Sequence, residues 1–343
     1  MKKLENVPNK IKALVLHEIG KLILDEIDNY ELKKDNVLVK LKYCGICSSD
    51  IERVFVNGTY HFPTIPGHEM SGEVVCVNDE DESLLGKSVC VFPMLPCMKC
   101  DACKKGEYAQ CADYNYFGSR CDGGFSEYLL VPKWNLVFFD NVSYKVASLC
   151  EPAAVSLHAV NLIDIKKNDK VAISGSGTIG LLIGYFASKK GAKVSIVCRN
   201  QKKSSFIKKM GFDVLSISNF EGEQYDGVFE VVGSNDSINQ AIKLVKTFGK
   251  VVLVGNPKEE VILNKNVYWK ILRKQLEIVG SWNSSYNDKN NDWKDVLKCM
   301  KEDSLFFEQL ITKEFLLEEN KEAFDYLRFS DDLKFKVVFK IHE

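Results

Sequence analysis

The stretch that most limits how this chain can fold is Val171–Ser188, eighteen consecutive residues without a charge. It is long enough to raise the question of a membrane helix. Its interior answers it: Gly175, Gly177, Gly180 and Gly184, with Ser174, Ser176 and Thr178, all fall within the first fourteen residues. A strand, a glycine turn and a helix account for the run better. Lys170–Ser174 reads as a short buried strand, and Gly175-Ser-Gly177-Thr178-Ile179-Gly180 opens the helical stretch behind it as G-x-G-x-x-G. In that context the glycines permit a tight turn and let a pyrophosphate approach the helix N-terminus. A strand that feeds a helix in this way needs parallel neighbours. Lys193–Val197, Gly227–Val232, Lys250–Gly255 and Leu276–Gly280 read as further buried strands, with helical segments between some of them. The expected result is a doubly wound α/β sheet.

The second of these strands sets the expected dinucleotide. An acidic residue about 20 positions past the glycines accepts the adenosine ribose hydroxyls of NAD. Here the strand ends Cys198-Arg199-Asn200, with Lys202 and Lys203 beyond and no carboxylate at the tip. Arg199 is suited to a 2′-phosphate through charge-assisted hydrogen bonds. A solvated basic helix start is the plainer alternative, but positive charge is unfavourable at a helix N-terminus unless an anion lies there. NADPH is therefore expected first and NADH second.

The first 157 residues have a different texture. Lys12–His17, Val37–Cys44, Gly72–Val77, Ser88–Phe92 and Phe125–Pro132 are short apolar or alternating runs bounded by turn residues. A helix is expected over Val155–Ile163, another from about Asp292, and a final strand over Lys334–Ile341 that returns to this first part. Lys plus Arg is 46 against 47 for Asp plus Glu, so no basic excess points to nucleic acid. No apolar stretch of signal length follows the basic Met1–Lys12 segment, and a soluble, cytoplasmic chain without membrane contact is expected. In such a chain, twelve cysteines point to metal rather than disulfides.

Cys97, Cys100, Cys103 and Cys111 form C-x2-C-x2-C-x7-C in a turn-rich loop, the lobe at about residues 93–115. Four thiolates close a tetrahedral zinc site and leave no open position, so its role is structural. A second set is looser. Cys44 and Cys47 precede Gly67-His68-Glu69, and Cys150-Glu151-Pro152 comes much later. Thiolate, imidazole and carboxylate are all zinc ligands, and three of them with one open position make a catalytic site. On residues alone, Glu151 can equally cap a helix beginning at Pro152.

Together and in this order, Cys47-Ser48-Ser49-Asp50, Gly67-His68-Glu69, the four-cysteine lobe, Glu151-Pro152 and the glycine turn resemble the zinc-dependent medium-chain alcohol dehydrogenase family, over essentially the whole chain. The sugar-alcohol branch is nearest, through Phe55–Gly58, Pro93–Cys97, Phe117–Tyr128, Ile271–Lys274 and Gly280–Trp282. The resemblance implies a GroES-like, strand-rich catalytic domain over 1–157, a Rossmann cofactor domain over 158–295 and a return to the catalytic domain over 296–343. It selects Cys47 over Cys44, with His68 and Glu151, as catalytic zinc ligands. It makes Asp50 the partner that orients His68, Ser49 the proton relay, and Glu69 a residue that approaches the metal. It adds Gly255, Gly280 and Ser281 to the cofactor contacts and implies two zinc ions per chain and a homodimer or homotetramer.

The implied reaction is hydride transfer between NADPH and the carbonyl of a phosphorylated or nucleotide-activated ketose, giving a polyol derivative. The alternative is catabolic, NAD-dependent polyol-phosphate oxidation. Candidate partners for the substrate anion are Arg120, Arg53 and Lys270. Two departures matter. The branch carries an acidic residue where this chain has Cys198, and Glu52 stands where many alcohol dehydrogenases place a relay histidine. A relative without turnover is the competing class; retention of Cys47, Ser49, His68 and Glu151 together argues against it.

Overall fold

Apolar residues alternate with charges along Lys10–Glu18, which buries Ile11, Ala13, Leu14 and Leu16 and turns at Gly20 (φ +83°) into Lys21–Asp28. The second arm of this hairpin, with Leu22, Leu24 and Ile27 facing the core, is too acidic to stand out in the sequence. A computed structural model describes residues 2–3, 6–216 and 224–342.

The chain divides into two compact units, Met1–Glu151 with Tyr286–Glu343, and Pro152–Ser285. The sequence reading sets these divisions after residues 157 and 295, whereas the contacts divide after Glu151 and Ser285.

In the first unit the long strand Asn36–Ile46 organises a mixed sheet. Strand order is Leu136–Phe138, Ser88–Val91, Glu69–Val77, Asn36–Ile46, Lys336–Lys340, Ile311–Phe315, and Tyr128–Pro132 also pairs with Asn36–Ile46. Val37, Val39, Leu41, Val74, Val89, Val91, Phe125 and Phe339 are fully buried in its core. The expected C-terminal return strand is Lys336–Lys340, antiparallel to Tyr43–Ile46. The Phe125–Pro132 run is strand only from Tyr128.

The second unit is a six-stranded parallel sheet. Its order is Asp213–Leu215, Lys193–Val197, Lys170–Ser174, Tyr225–Glu230, Val245–Leu253, Glu277–Gly280, which in chain order is 3-2-1-4-5-6. This is the doubly wound arrangement, whose strand order reverses at the end of Lys170–Ser174, where dinucleotides bind. Ala172, Val228 and Val251 are fully buried, as strands covered on both faces require. The helix expected from Val155 begins five residues earlier, at Cys150. Among the described residues no helix is long and apolar enough to cross a membrane.

Candidate active site

Cys47 stands at the N-cap of the short helix Ser48–Glu52, and its backbone N–H donates to Asp50 Oδ2 at 2.9 Å. That bond spends one oxygen of a fully buried carboxylate on fixing the loop. The other oxygen, Oδ1, lies 3.4 Å from His68 Nδ1 and accepts from Arg53 Nη1 at 3.1 Å. Burial works against the Asp50 charge, but His68, Arg53 and the Cys47 N–H outweigh it and hold the carboxyl at about 2. Asp50 therefore engages Nδ1 of His68 and leaves Nε2 for a metal, the usual way a second residue orients an imidazole ligand. Arg53 Nη1 also donates to Ser49 Oγ at 3.0 Å. That fills an acceptor position on Oγ, so the Ser49 proton points elsewhere.

His68 is delivered by Gly67 (φ +95°), where any Cβ would fall 2.5 Å from the Phe125 ring. Glu69 opens the strand Glu69–Val77, and both its oxygens accept from Lys336 Nζ at 2.6 Å. Lys336 opens the return strand and also donates to Ile46 O at 3.3 Å. Gly45 makes room for this pair, because a Cβ there would lie 2.0 Å from Glu69 Oε2. Burial acts to discharge Lys336, but Glu69 and Cys47 keep its pKa raised.

Cys47, His68 and Glu69 bring their ligand atoms within 4.8 Å of one another. Glu151 stands outside that group. It is buried in the first turn of Cys150–Asn161, and its Oε1 accepts from Tyr116 Oη at 3.2 Å. Burial raises its pKa, and the charges of His68 and Glu69 both reach it. Thiolate, imidazole and a choice of two carboxylates suit zinc. Cys44 is fully buried in the strand Asn36–Ile46, as the family pattern implied.

Cys97, Cys100, Cys103 and Cys111 form the other cluster, again within 4.8 Å. Backbone N–H groups of Cys103 and Ala112 lower Cys100 to about 6, and those of Lys99 and Cys100 lower Cys97. Backbone donors thus favour thiolate, the form that binds zinc, at Cys97 and Cys100, while burial pushes the Cys103 thiol up to about 12.

In the second unit each glycine of the turn has its own reason. Gly175 (φ +138°) packs under Val231 and Val232, a Cβ on Gly180 would strike Gly175 O at 2.1 Å, and Gly177 faces open space. Gly177 is the N-cap of Thr178–Lys189, so Thr178 and Ile179 form the first turn. Gly255 lies so close to Val232 and Gly233 that a side chain would clash. Gly280 ends the edge strand, and Ser281 N–H donates to Leu253 O at 2.8 Å. Ser281 Oγ and Glu230 Oε2 are buried polar atoms without a partner among the described residues. The open turn and the unpaired atoms fit a dinucleotide. Arg199 is exposed beside buried Cys198 and has no protein partner among the described residues. Both line a cavity of about 660 Å³ with Ser204, Ser205 and Lys208.

Three contributors are absent from the sequence reading: Lys336, Gly45 and Tyr116. Lys336 opens the strand Lys-Val-Val-Phe-Lys, the only hint being three consecutive apolar residues that mark the strand as buried.

Residues 33–140 match the alcohol dehydrogenase GroES-like domain family, and residues 178–302 match the zinc-binding dehydrogenase family. The chain is 32% identical over 323 residues to galactitol 1-phosphate 5-dehydrogenase of Escherichia coli (strain K12), covering 90% of this chain and 92% of the relative. It is 28% identical over 343 residues to sorbitol dehydrogenase of Bacillus subtilis (strain 168), covering 93% and 94%. The crystal structure of galactitol-1-phosphate dehydrogenase from Escherichia coli superposes with a TM-score of 0.89 at 31% identity, over 96% of this chain and 99% of that one. A zinc-binding dehydrogenase from Sinorhizobium meliloti 1021, solved bound to NADP, gives 0.87 at 26% identity, over 97% and 100%. The chain belongs to the zinc-dependent medium-chain dehydrogenase family. Within it, the chain is a polyol dehydrogenase of the sugar-alcohol branch.

Proposed function

We propose that this enzyme interconverts a phosphorylated or nucleotide-activated ketose and its polyol, with NADPH as the preferred cofactor and reduction as the working direction. When bound, zinc supplies Lewis acidity toward the reacting oxygen and NADPH supplies hydride. Cys47, His68 and Glu151 would hold the catalytic zinc, and Cys97, Cys100, Cys103 and Cys111 a structural one. Glu69 is the poorer third ligand, because both its oxygens are spent on Lys336. Glu151 gives one oxygen to a neutral phenol and keeps the other. Ser49, with Arg53 donating to its oxygen, keeps its proton for the substrate oxygen.

The observation that carries the cofactor reading is Arg199, exposed and without a partner among the described residues, on a strand tip that lacks a carboxylate. The anionic substrate rests on the likeness to galactitol 1-phosphate 5-dehydrogenase, which also favours the second reading, NAD-dependent oxidation of a polyol phosphate. Zinc-loaded enzyme assayed with NADPH and NADH against pentulose and hexulose phosphates, and with both oxidised cofactors against galactitol 1-phosphate, separates the two. A specificity constant that favours NADH would overturn the first reading.

A homodimer is supported by the edge strand Glu277–Gly280, whose Ile278 is exposed, and by exposed Tyr268, Trp269, Leu272 and Trp282 nearby in sequence. Unpaired edges with apolar residues invite a second copy. Ile278→Lys should then give a monomer in sedimentation equilibrium, and an unchanged mass would reject this interface. The cytoplasm, where NADPH and reduced thiols coexist, is the proposed compartment.

A further inference from the structure

Three basic residues are candidates for the substrate anion, and their surroundings separate them. Lys270 already has a partner. Arg53 turns Nη1 onto Ser49, Asp50 and His68, and so belongs to the reacting end. Arg120 is different. Its guanidinium carbon lies 4.1 Å from the centre of the Tyr60 ring and 4.5 Å from that of Tyr114. Nη2 donates to Tyr60 Oη at 3.1 Å, and no carboxylate among the described residues pairs with it. Guanidinium presents five N–H donors in a planar fork, and stacking on rings spends none of them. Nη2 has a second N–H, so one two-donor edge of the fork, shared between Nη2 and either Nε or Nη1, remains available on a side chain held by two aromatic rings.

The backbone around Arg120 is also tied down. Its N–H donates to Tyr116 O at 3.0 Å, Tyr60 N–H donates to Ser119 O at 3.2 Å, and His61 Nε2 lies 3.2 Å from Arg120 O. Tyr116 links this turn to the reacting centre. Its hydroxyl meets Glu151, and its ring lies 5.8 Å from His68 and 6.5 Å from Tyr114. His68, Tyr116, Tyr114 and Arg120 thus form a continuous wall that runs from the metal ligands to a guanidinium with unspent donors.

We propose that Arg120, clamped by Tyr60 and Tyr114, is the anion anchor of the substrate: its unspent two-donor edge takes two oxygens of a phosphate while the polyol chain lies along Tyr116 toward Cys47 and His68. The proposal rests on the anionic-substrate reading above. The shared chemistry is a phosphate group, carried either by a sugar monophosphate or by a nucleotide sugar.

The test compares wild type with Arg120→Gln and Arg120→Lys, all zinc-loaded, with zinc content and circular dichroism confirming that each is folded. One measurement is the ratio of specificity constants for galactitol 1-phosphate over galactitol. The other is inhibition by inorganic phosphate and by uridine diphosphate at saturating cofactor. Loss of a charge-assisted bidentate contact corresponds to roughly 10–100-fold. Arg120→Gln should reduce both the preference ratio and the affinity for phosphate by that factor, and Arg120→Lys should recover only part of it because lysine lacks the fork. Stronger inhibition by uridine diphosphate than by phosphate, lost in Arg120→Gln, assigns the anchor to a nucleotide sugar; the reverse order assigns it to a monophosphate. A stack with only a structural role would lower both substrates alike and leave the ratio intact, which overturns the anchor. If wild type shows no preference for the phosphorylated polyol and no inhibition by either anion, the anionic-substrate reading itself fails. If wild type shows both and Arg120→Gln keeps them, only the role of Arg120 fails.

Discussion

Replacement of Lys336 by Met should cost this enzyme about 3–5 kcal/mol, the usual penalty for removing one partner of a buried ion pair. Lys336 and Glu69 have side-chain exposures of 6% and 1%, so neither can turn to water when the other is removed. All three ammonium contacts, two to Glu69 and one to Ile46 O, disappear together. The double variant Glu69→Gln/Lys336→Met removes both charges and should recover most of that loss, since a buried pair replaced by neutral groups is often close to neutral. The assay is urea unfolding of zinc-loaded protein, followed by fluorescence of Trp134 and Trp293, which belong to the same unit, in a Trp269→Phe/Trp282→Phe background. The pair should not change its contribution near neutral pH. The folded pKa of Lys336 is raised above 10.5, so its contribution is fully present below that value and is lost only as pH rises through the folded pKa. A loss under about 1 kcal/mol in Lys336→Met, or a double variant no better than the single, would refute the argument.

Gly45→Ala attacks the same pair sterically, its Cβ falling 2.0 Å from Glu69 Oε2, and a comparable drop in the same unfolding assay is expected. Ser49→Ala should lower turnover by roughly 10²–10⁴-fold, the usual contribution of a positioned proton transfer, while zinc content by mass spectrometry stays unchanged; an unaltered single-turnover rate removes Ser49 from the chemistry. Cys100→Ser should release one zinc per chain and lower solubility or thermal stability, because a closed thiolate site contributes to folding; retention of both zincs contradicts the structural assignment. The NADPH preference should be at least about tenfold in specificity constant. Arg199→Ala should erase much of it and Cys198→Asp should reverse it toward NADH, whereas indifference to both changes shows that the strand tip does not read the ribose.

Much of this was legible in sequence because the governing constraints are local. The glycine turn is legible because Gly175 and Gly180 answer contacts within a few residues or on the adjacent strand end while Gly177 leaves the turn open, and the four cysteines because one loop carries them all. Five of the six parallel strands announce themselves as short apolar runs, whereas the edge strand Asp213–Leu215, three residues long and without a fully buried side chain, does not. What stayed hidden depends on distant partners. Glu69 is 267 positions from Lys336, and nothing near Lys336 reports a buried carboxylate. Gly45 reads as an ordinary strand residue until Glu69 is placed above it. Tyr116 lies in the tyrosine-rich Tyr114-Asn115-Tyr116 stretch, and only the fold turns its hydroxyl onto Glu151. The helix is expected only from Val155, but it begins at Cys150 and takes Pro152 into its first turn, where the missing N–H costs no intrahelical bond.

The return strand that carries Lys336 also orders events in time. The four-cysteine loop closes within fifteen residues, Cys97 to Cys111, and needs nothing downstream, so it can take up its metal while synthesis continues. The unit Pro152–Ser285 is likewise contiguous and can fold as it emerges, in the usual N-to-C order. The first unit has to wait, because its central strand, paired over residues 36–40 by Tyr128–Pro132, keeps Tyr43–Ile46 open until Lys336–Lys340 arrives. Until then Glu69 has no counter-ion beside Cys47 and His68. Nascent chains stalled before Lys336 should therefore hold one zinc and no activity, and the second zinc should load only once Lys336 has been added.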